Sequence, residues 1–206
     1  MKVSKDSVIF DFETLSLDRA QCVISCVAGI RFNEDRYLSD DPYSFTELVE
    51  AADFMKFSAE YQVTHYGRKI DLQTIGWWKE KPKSVQNMII EPKEDDVTFE
   101  KIIDFFQNLF RHPDTLSRVY SRGNTFDPII LDGIVSQLKV KNFYPHWVVR
   151  DTRSMIDGMS FGSNMRNDFV VPGLESQYIA HDPRHDIAMD IMRMQYIVRL
   201  LNDLEV

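Results

Sequence analysis

Val8, Ile9 and Phe10 form an unbroken apolar run that passes directly into Asp11-Phe12-Glu13. Such a run reads as a short buried strand over 7–10, and its continuation sets Asp11 and Glu13 two residues apart. Side chains alternate between the faces of a strand, so both carboxylates leave on the same face. Like charges held together at the end of a buried strand repel. The arrangement is tolerable only with protonation, a basic partner or a cation. Any fold for this chain has to meet that demand, and a hard divalent ion such as Mg²⁺ suits an all-oxygen ligand set. A D-x-E pair alone is weak evidence in so acidic a chain, so its context decides.

The surrounding pattern predicts a sheet. The β-branched, largely apolar stretch 21–32 predicts a second strand and 44–49 a third, giving a three-strand meander. Further on, Thr74 is expected to cap a helix through Ile75, Trp77, Trp78 and Lys79 that Pro82 stops. Thr98 is expected to cap another, with an apolar face of Ile102, Ile103, Phe105, Phe106, Leu109 and Phe110. Residues 116–120 then read as a strand, 126–138 as a helix opened by Asp127 and Pro128, and 147–149 as a last strand. A short helix follows from Asp151, and an amphipathic helix closes the chain over 185–204. Between them, 160–180 holds Gly, Asn, Pro and Ser and reads as a long loop. Strands first, then alternating helix and strand, give an α/β sheet, antiparallel in its first half and parallel in its second. The 206 residues fit one domain spanning 1–206.

Composition narrows the function. Lysine and arginine number 24 against 32 acidic residues, a net charge of −8. That balance argues against gripping nucleic acid by broad phosphate neutralisation. It leaves room for an enzyme that clusters carboxylates around cations and holds only a strand end. At 44% hydrophobic and 27% charged, the chain is not disordered on a large scale. No apolar run approaches the roughly 18 residues of a membrane helix. The opening MKVSKDSVIFDFE turns acidic after one apolar patch and is not read as a secretory signal. A cytoplasmic protein is expected. Cys22 and Cys26 have no further Cys or His nearby at ligand spacing and read as buried thiols.

More carboxylates follow the first pair. Asp127 comes after the strand at 116–120, where an aspartate also serves as an ordinary helix cap. Asp186 lies near the start of the last helix, five residues after His181. Four carboxylates and one histidine from separated elements are what a two-metal phosphodiester cleavage site requires. An imidazole titrating near neutrality can take the proton of the attacking water.

In this order, Asp11/Glu13, Asp127, His181/Asp186 resembles the DEDDh branch of the DnaQ-like 3′→5′ exonucleases, and within it the exodeoxyribonucleases of T-even-type bacteriophages. The likeness is carried by IFDFETLS (9–16), TIGWWKEKPKSVQNMI (74–89), SRGNTFDPIIL (121–131), VRDTRSMID (149–157) and YIAHDPRHDIAMDIMRMQYIVR (178–199). It implies an RNase H-like fold, a mixed five-stranded sheet flanked by helices. It also implies Asp11, Glu13, Asp127 and Asp186 as ligands of two divalent cations, Mg²⁺ or Mn²⁺, with His181 as general base. Thr14 and Leu15 would meet the 3′-terminal nucleotide.

Other residues carry weaker expectations. Trp77 and Trp78 are adjacent and cannot both face a core, so one is a candidate to stack on a base. The competing reading covers it with lysine stems. The loop with Asn164, Arg166 and Asn167 is expected to be a mobile flap delivering His181. Arg122, Arg153 and Arg166 are candidate substrate contacts, His185 is expected to be structural, and Asp190 is expected to pair with Arg193. The expected activity is release of nucleoside 5′-monophosphates from the 3′ end of single-stranded DNA, with no membrane and no inferable protein partner. An exoribonuclease or oligoribonuclease of the same fold is the first alternative, and a non-catalytic nucleic-acid-binding module the second. A phage origin would put the enzyme in the host bacterial cytoplasm.

Overall fold

A computed structural model describes residues 6–112, 115–163 and 165–205. The strands are β1 (Asp6–Thr14), β2 (Ile24–Asn33), β3 (Asp53–Lys56), β4 (Leu116–Ser121) and β5 (Val149–Asp151). They form one five-stranded sheet in the order β3-β2-β1-β4-β5. Pairing is antiparallel from β1 through β2 to β3 and parallel from β1 through β4 to β5. The mixed sheet matches the expectation, half for half.

The helices are α1 (Phe45–Ala51), α2 (Ala59–Tyr66), α3 (Leu72–Lys79), α4 (Lys83–Ile89), α5 (Lys101–Leu109), α6 (Asp127–Leu138), α7 (Thr152–Met159) and α8 (Pro183–Leu200). The alternation along β1 sorts them into layers. Val8, Phe10 and Phe12 point into a core with Ile102 and Phe106 of α5 and Ile130 and Ile134 of α6. Phe10 and Phe106 meet edge to face at 5.3 Å, a geometry worth about 1 kcal/mol beyond burial. Gly29 lets α5 lie close on β2, because a Cβ there would meet Leu109 Cδ2 at 2.6 Å. Ile9 points the other way, into a core with Ile187, Ala188 and Ile191 of α8. By the same parity Asp11 and Glu13 leave on the α8 side. Leu15, Val23 and Cys26 join Trp78, Val85 and Ile89 in a third cluster under α3 and α4.

Several boundaries differ from expectation. Stretch 44–49 is not a strand: Ser44 accepts from the Glu47 N–H, and Phe45 and Leu48 are buried at helical spacing in α1. The third strand comes later, at Asp53–Lys56. Asp71, not Thr74, caps α3, accepting from the Gln73 N–H, while the Thr74 hydroxyl donates to Asp71. The helix expected from Thr98 starts at Lys101, after a turn in which the Lys101 N–H donates to the Thr98 carbonyl. Residues 146–148 form a 3₁₀ turn, which moves the last strand to β5. Helices α2 and α4 were not anticipated.

Residues 160–180 contain no regular element among those described, as expected, and Asn164 lies outside the described residues. The segment is docked rather than free. Val171 is buried, Phe169, Val170, Leu174 and Tyr178 pack on the α8 core, and Arg193 donates to the carbonyls of Phe169 and Asp168. Both cysteines are buried and free.

Candidate active site

Because β1 and β4 run parallel, their C-terminal ends reach the same edge of the sheet. A short turn carries the chain from β4 into α6, so Asp127 begins that helix beside β1, and its Oδ1 accepts the Phe12 N–H at 3.2 Å. Helix α8 presents Asp186 in its first turn. The four carboxylates therefore converge. Among the described residues, Glu13, His181 and Asp186 each offer a ligand atom within 4.8 Å of the others.

Electrostatics give the cluster its character. Burial first, and then repulsion from Asp127, Glu13 and Asp186, drives Asp11 well above the usual carboxylate range. Glu13 is driven up by burial and then by Asp186 and Asp127. Burial raises Asp127 to about 7 against the opposing pull of the Phe12 N–H. Burial likewise raises Asp186 to about 6, opposed by the hydrogen bond from Tyr178. The ion pairs of the described residues on α8 engage Asp182 and Asp190, and none reaches these four groups. Buried and half-buried carboxylates that, among the described residues, form no ion pair are what a hard divalent cation relieves. The donor set fits such ions.

His181 stands in the left-handed region with φ of 67°, a conformation that costs a non-glycine residue of order 1–3 kcal/mol. That turn aims its N–H at Asp186 Oδ2, 3.1 Å away. Its ring lies edge-on to Trp77 at 4.9 Å and to Trp78 at 5.9 Å. Burial, and then the positive charge of Lys81, lowers its pKa, which favours the neutral imidazole. His185 instead accepts the Ile179 N–H at Nδ1 and packs edge-on against Phe45.

A cavity of about 370 Å³ opens beside the cluster, lined by Glu13, Thr14, Leu17, Gln73, Trp77 and Phe126 among others. The expected contacts divide around it. Trp77 is 41% exposed, with the Lys81 ammonium 3.7 Å from its ring centre. Trp78 is 2% exposed and its indole N–H donates to the Thr14 carbonyl at 2.9 Å, so it supports the wall from the core and offers no face for stacking. Leu15 is buried in the third cluster and does not line the cavity. Arg122 is held by Asp190 and by Asn167, and Arg166 by Asp168. The Arg122 guanidinium is taken up within the fold, whereas that of Arg166 is exposed and pairs with Asp168 at the surface. Arg153 is exposed at the start of α7. Leu17, Phe126 and Tyr178 went unnoticed in the sequence, although Phe126 directly precedes Asp127. A larger cavity of about 720 Å³, between Tyr37, Arg118 and the methionines of α7 and α8, holds none of the candidate residues.

This mixed sheet, with acidic groups gathered at its strand ends, defines a DnaQ-like 3′–5′ exonuclease of the DEDD type. The chain belongs to the family described as the 3′-5′ exoribonuclease Rv2179c-like domain, which matches residues 6–189. It is similar to the exodeoxyribonuclease of Enterobacteria phage T4, 30% identical over 212 residues that cover 96% of this chain and 91% of that protein. Among solved structures it resembles E. coli exonuclease I in complex with a dA16 oligonucleotide, with a TM-score of 0.63, 14% identity and 95% of this chain covered. The zinc-bound form of an E. coli exonuclease I complex with single-stranded DNA gives a TM-score of 0.58 at 13% identity, covering 97% of this chain. The chain spans only 41% and 40% of those two solved chains. At such identities the likeness is one of fold, and it matches the RNase H-like expectation. Family membership makes the chain an enzyme rather than a passive binding module.

Proposed function

We propose that the chain, acting as one domain over 1–206, is a two-metal-dependent 3′→5′ exodeoxyribonuclease. It releases nucleoside 5′-monophosphates from single-stranded DNA. The observation that carries this reading is the cluster of four carboxylates, none of them ion-paired with a basic side chain among the described residues, set beside the His181 imidazole, whose pKa burial lowers. Asp11, Glu13, Asp127 and Asp186 would hold the cations, Mg²⁺ or Mn²⁺. Bound there, the cations would supply a more acidic water and positive charge to offset that of the cleaving phosphodiester. The rest falls to the chain's own groups. A ring nitrogen of His181 accepts the water proton, which its lowered pKa keeps possible at neutral pH. Trp77, partly exposed in the cavity wall with the Lys81 ammonium over its ring, would stack on a base, and Thr14 lines the cavity at the strand end. Water adds to phosphorus, the bond to the preceding 3′-oxygen breaks, and that oxygen takes a proton from solvent water to become the new 3′-hydroxyl.

Full-length similarity to a phage exodeoxyribonuclease supports DNA as substrate. The family description supports RNA as the second reading. Paired oligonucleotides of one sequence, labelled at the 5′ end and differing only in deoxyribose or ribose, distinguish them. We expect a ladder shortening from the 3′ end of the DNA strand, abolished by EDTA and blocked by a 3′-phosphate. Faster loss of the RNA strand would favour the second reading, and digestion of the 3′-blocked strand would contradict the polarity. No helix among the described residues is long and apolar enough to cross a membrane. We place the enzyme in the cytoplasm, that of a host bacterium if its origin is a phage.

A further inference from the structure

We propose that Tyr178 is a positioning residue that fixes the carboxylate of Asp186, and that the docked segment 165–180 exists in part to hold Tyr178 there. The inference rests on reading Asp186 as a cation ligand. The Tyr178 hydroxyl donates to Asp186 Oδ1 at 2.5 Å, and the His181 N–H donates to Oδ2 at 3.1 Å. An ionised carboxylate accepts about four hydrogen bonds, two at each oxygen. One donor on each oxygen fixes the rotation of the group and leaves each oxygen a free direction for a cation. Neither donor carries a charge, so neither offsets the negative charge of the carboxylate.

Tyr178 is itself held in place. Its N–H donates to the Leu174 carbonyl at 3.0 Å, and its ring packs on the α8 core beside Phe169 and Val170. The segment leading to it is clamped by arginines. Arg193 donates to the Phe169 carbonyl at 2.6 Å, and Arg122 donates to the Asn167 carbonyl at 3.1 Å. Both guanidiniums are anchored on Asp190, at 2.6 and 2.7 Å. Asp190 lies one helical turn beyond Asp186. One face of α8 therefore carries a candidate ligand and the anchor of the arm that orients it.

Hydrogen-bond partners of metal ligands are typically worth ten- to a hundredfold in metal affinity or activity. The test is a calorimetric titration of Mn²⁺ into the wild type, Tyr178→Phe and Asp186→Asn, with thermal unfolding of each in EDTA. Phenylalanine keeps the ring and removes only the donor. We expect Tyr178→Phe to bind Mn²⁺ about tenfold or more weakly, to unfold in EDTA at nearly the wild-type temperature, and to regain most of its kcat at saturating Mn²⁺. Wild-type Mn²⁺ affinity in Tyr178→Phe, with affinity lost in Asp186→Asn, would overturn the role of Tyr178 and leave the cation site intact. Unchanged binding in Asp186→Asn would overturn both.

Discussion

Asp186 and Asp190 stand one turn apart on the same face of α8, yet the fold treats them in opposite ways. Asp190, 1% exposed, is neutralised: Arg122 and Arg193 reach its Oδ1 and the Thr152 hydroxyl its Oδ2. Among the described residues Asp186 accepts from the Tyr178 hydroxyl and the His181 N–H and forms no ion pair, feeling Arg193 only at longer range, and its charge adds to the repulsion felt by Asp11 and Glu13. Residue type and helix are shared, although Asp190 is buried and Asp186 half-buried. What differs is whether the fold brings a cation of its own. A buried aspartate with two arginines is finished as structure; one with neutral donors and anionic neighbours is, in the function proposed above, a ligand for an ion from solution.

The largest expected effect breaks that comparison by substitution. Asp186→Asn or Asp11→Asn should lower kcat at least about a thousandfold, since activation of water and charge stabilisation are lost together. Stability in EDTA should hold or rise, because repulsion is relieved. Steady-state kinetics at saturating Mg²⁺ and urea unfolding read the two quantities, and near-wild-type kcat would sink the assignment.

The histidines repeat the contrast on a smaller scale. His181→Ala should lower kcat by about two to four orders of magnitude, the usual worth of a general base, with substrate binding little changed. The acidic limb of the pH–rate profile should flatten. His185→Ala should lose much less, and its loss should follow the unfolding temperature, because this ring serves Phe45 and the Ile179 N–H. A reversed order at equal stability would mean that the base has been misassigned.

Asp190→Asn should do the opposite of Asp186→Asn. Breaking a buried pair from one side leaves the arginines unpaired and costs about 3–5 kcal/mol, seen as a lower urea midpoint. If stability were kept and kcat lost, Asp190 would belong with the reactive cluster.

The smallest effect is a pH dependence. In the fold, Asp127 and Asp186 titrate at about 7 and about 6, above the roughly 4 of unfolded carboxylates. The folded form thus holds protons the unfolded chain has released. The stability this contributes is complete below about pH 4 and is lost as pH rises through 6 and 7. In EDTA the unfolding temperature should therefore fall by a few degrees between pH 5 and 8, measured relative to Asp11→Asn. Mn²⁺ should restore it at pH 8. A wild-type slope no steeper than that of Asp11→Asn would deny that the carboxylates are strained together.

Much of this was legible where local pattern and tertiary demand agree. Strand β1 could be read from its apolar run and α5 from its phenylalanine face, because each buries what its periodicity offers. The segment before α3 was obscure for a physical reason. Helix α2 is half solvated and carries little pattern, so its ends are marked only by the Ser58 side chain on the Tyr61 N–H and by Gly67 at φ of 64°. Helix α1 hid behind β-branched and aromatic residues, although Ser44 and Glu47 stand at capping-box spacing. The carboxylates were legible as a set because the resemblance supplied their order. The contacts around them were not, since Arg122 and the Asp190 it pairs with are far apart in sequence and nothing local ties Tyr178 to Asp186. Leu15 was drawn to the site by proximity in sequence but packs in the third cluster, whereas Trp78 is core-packed and still stands at the site, lining the cavity and meeting the His181 ring at 5.9 Å.

The most direct test is a crystal soaked in Mn²⁺ and measured at the manganese absorption edge. The account predicts anomalous peaks among Asp11, Glu13, Asp127 and Asp186, and none at Asp190. Peaks at Asp190, or a cluster without Mn²⁺ at concentrations that saturate activity, would contradict it.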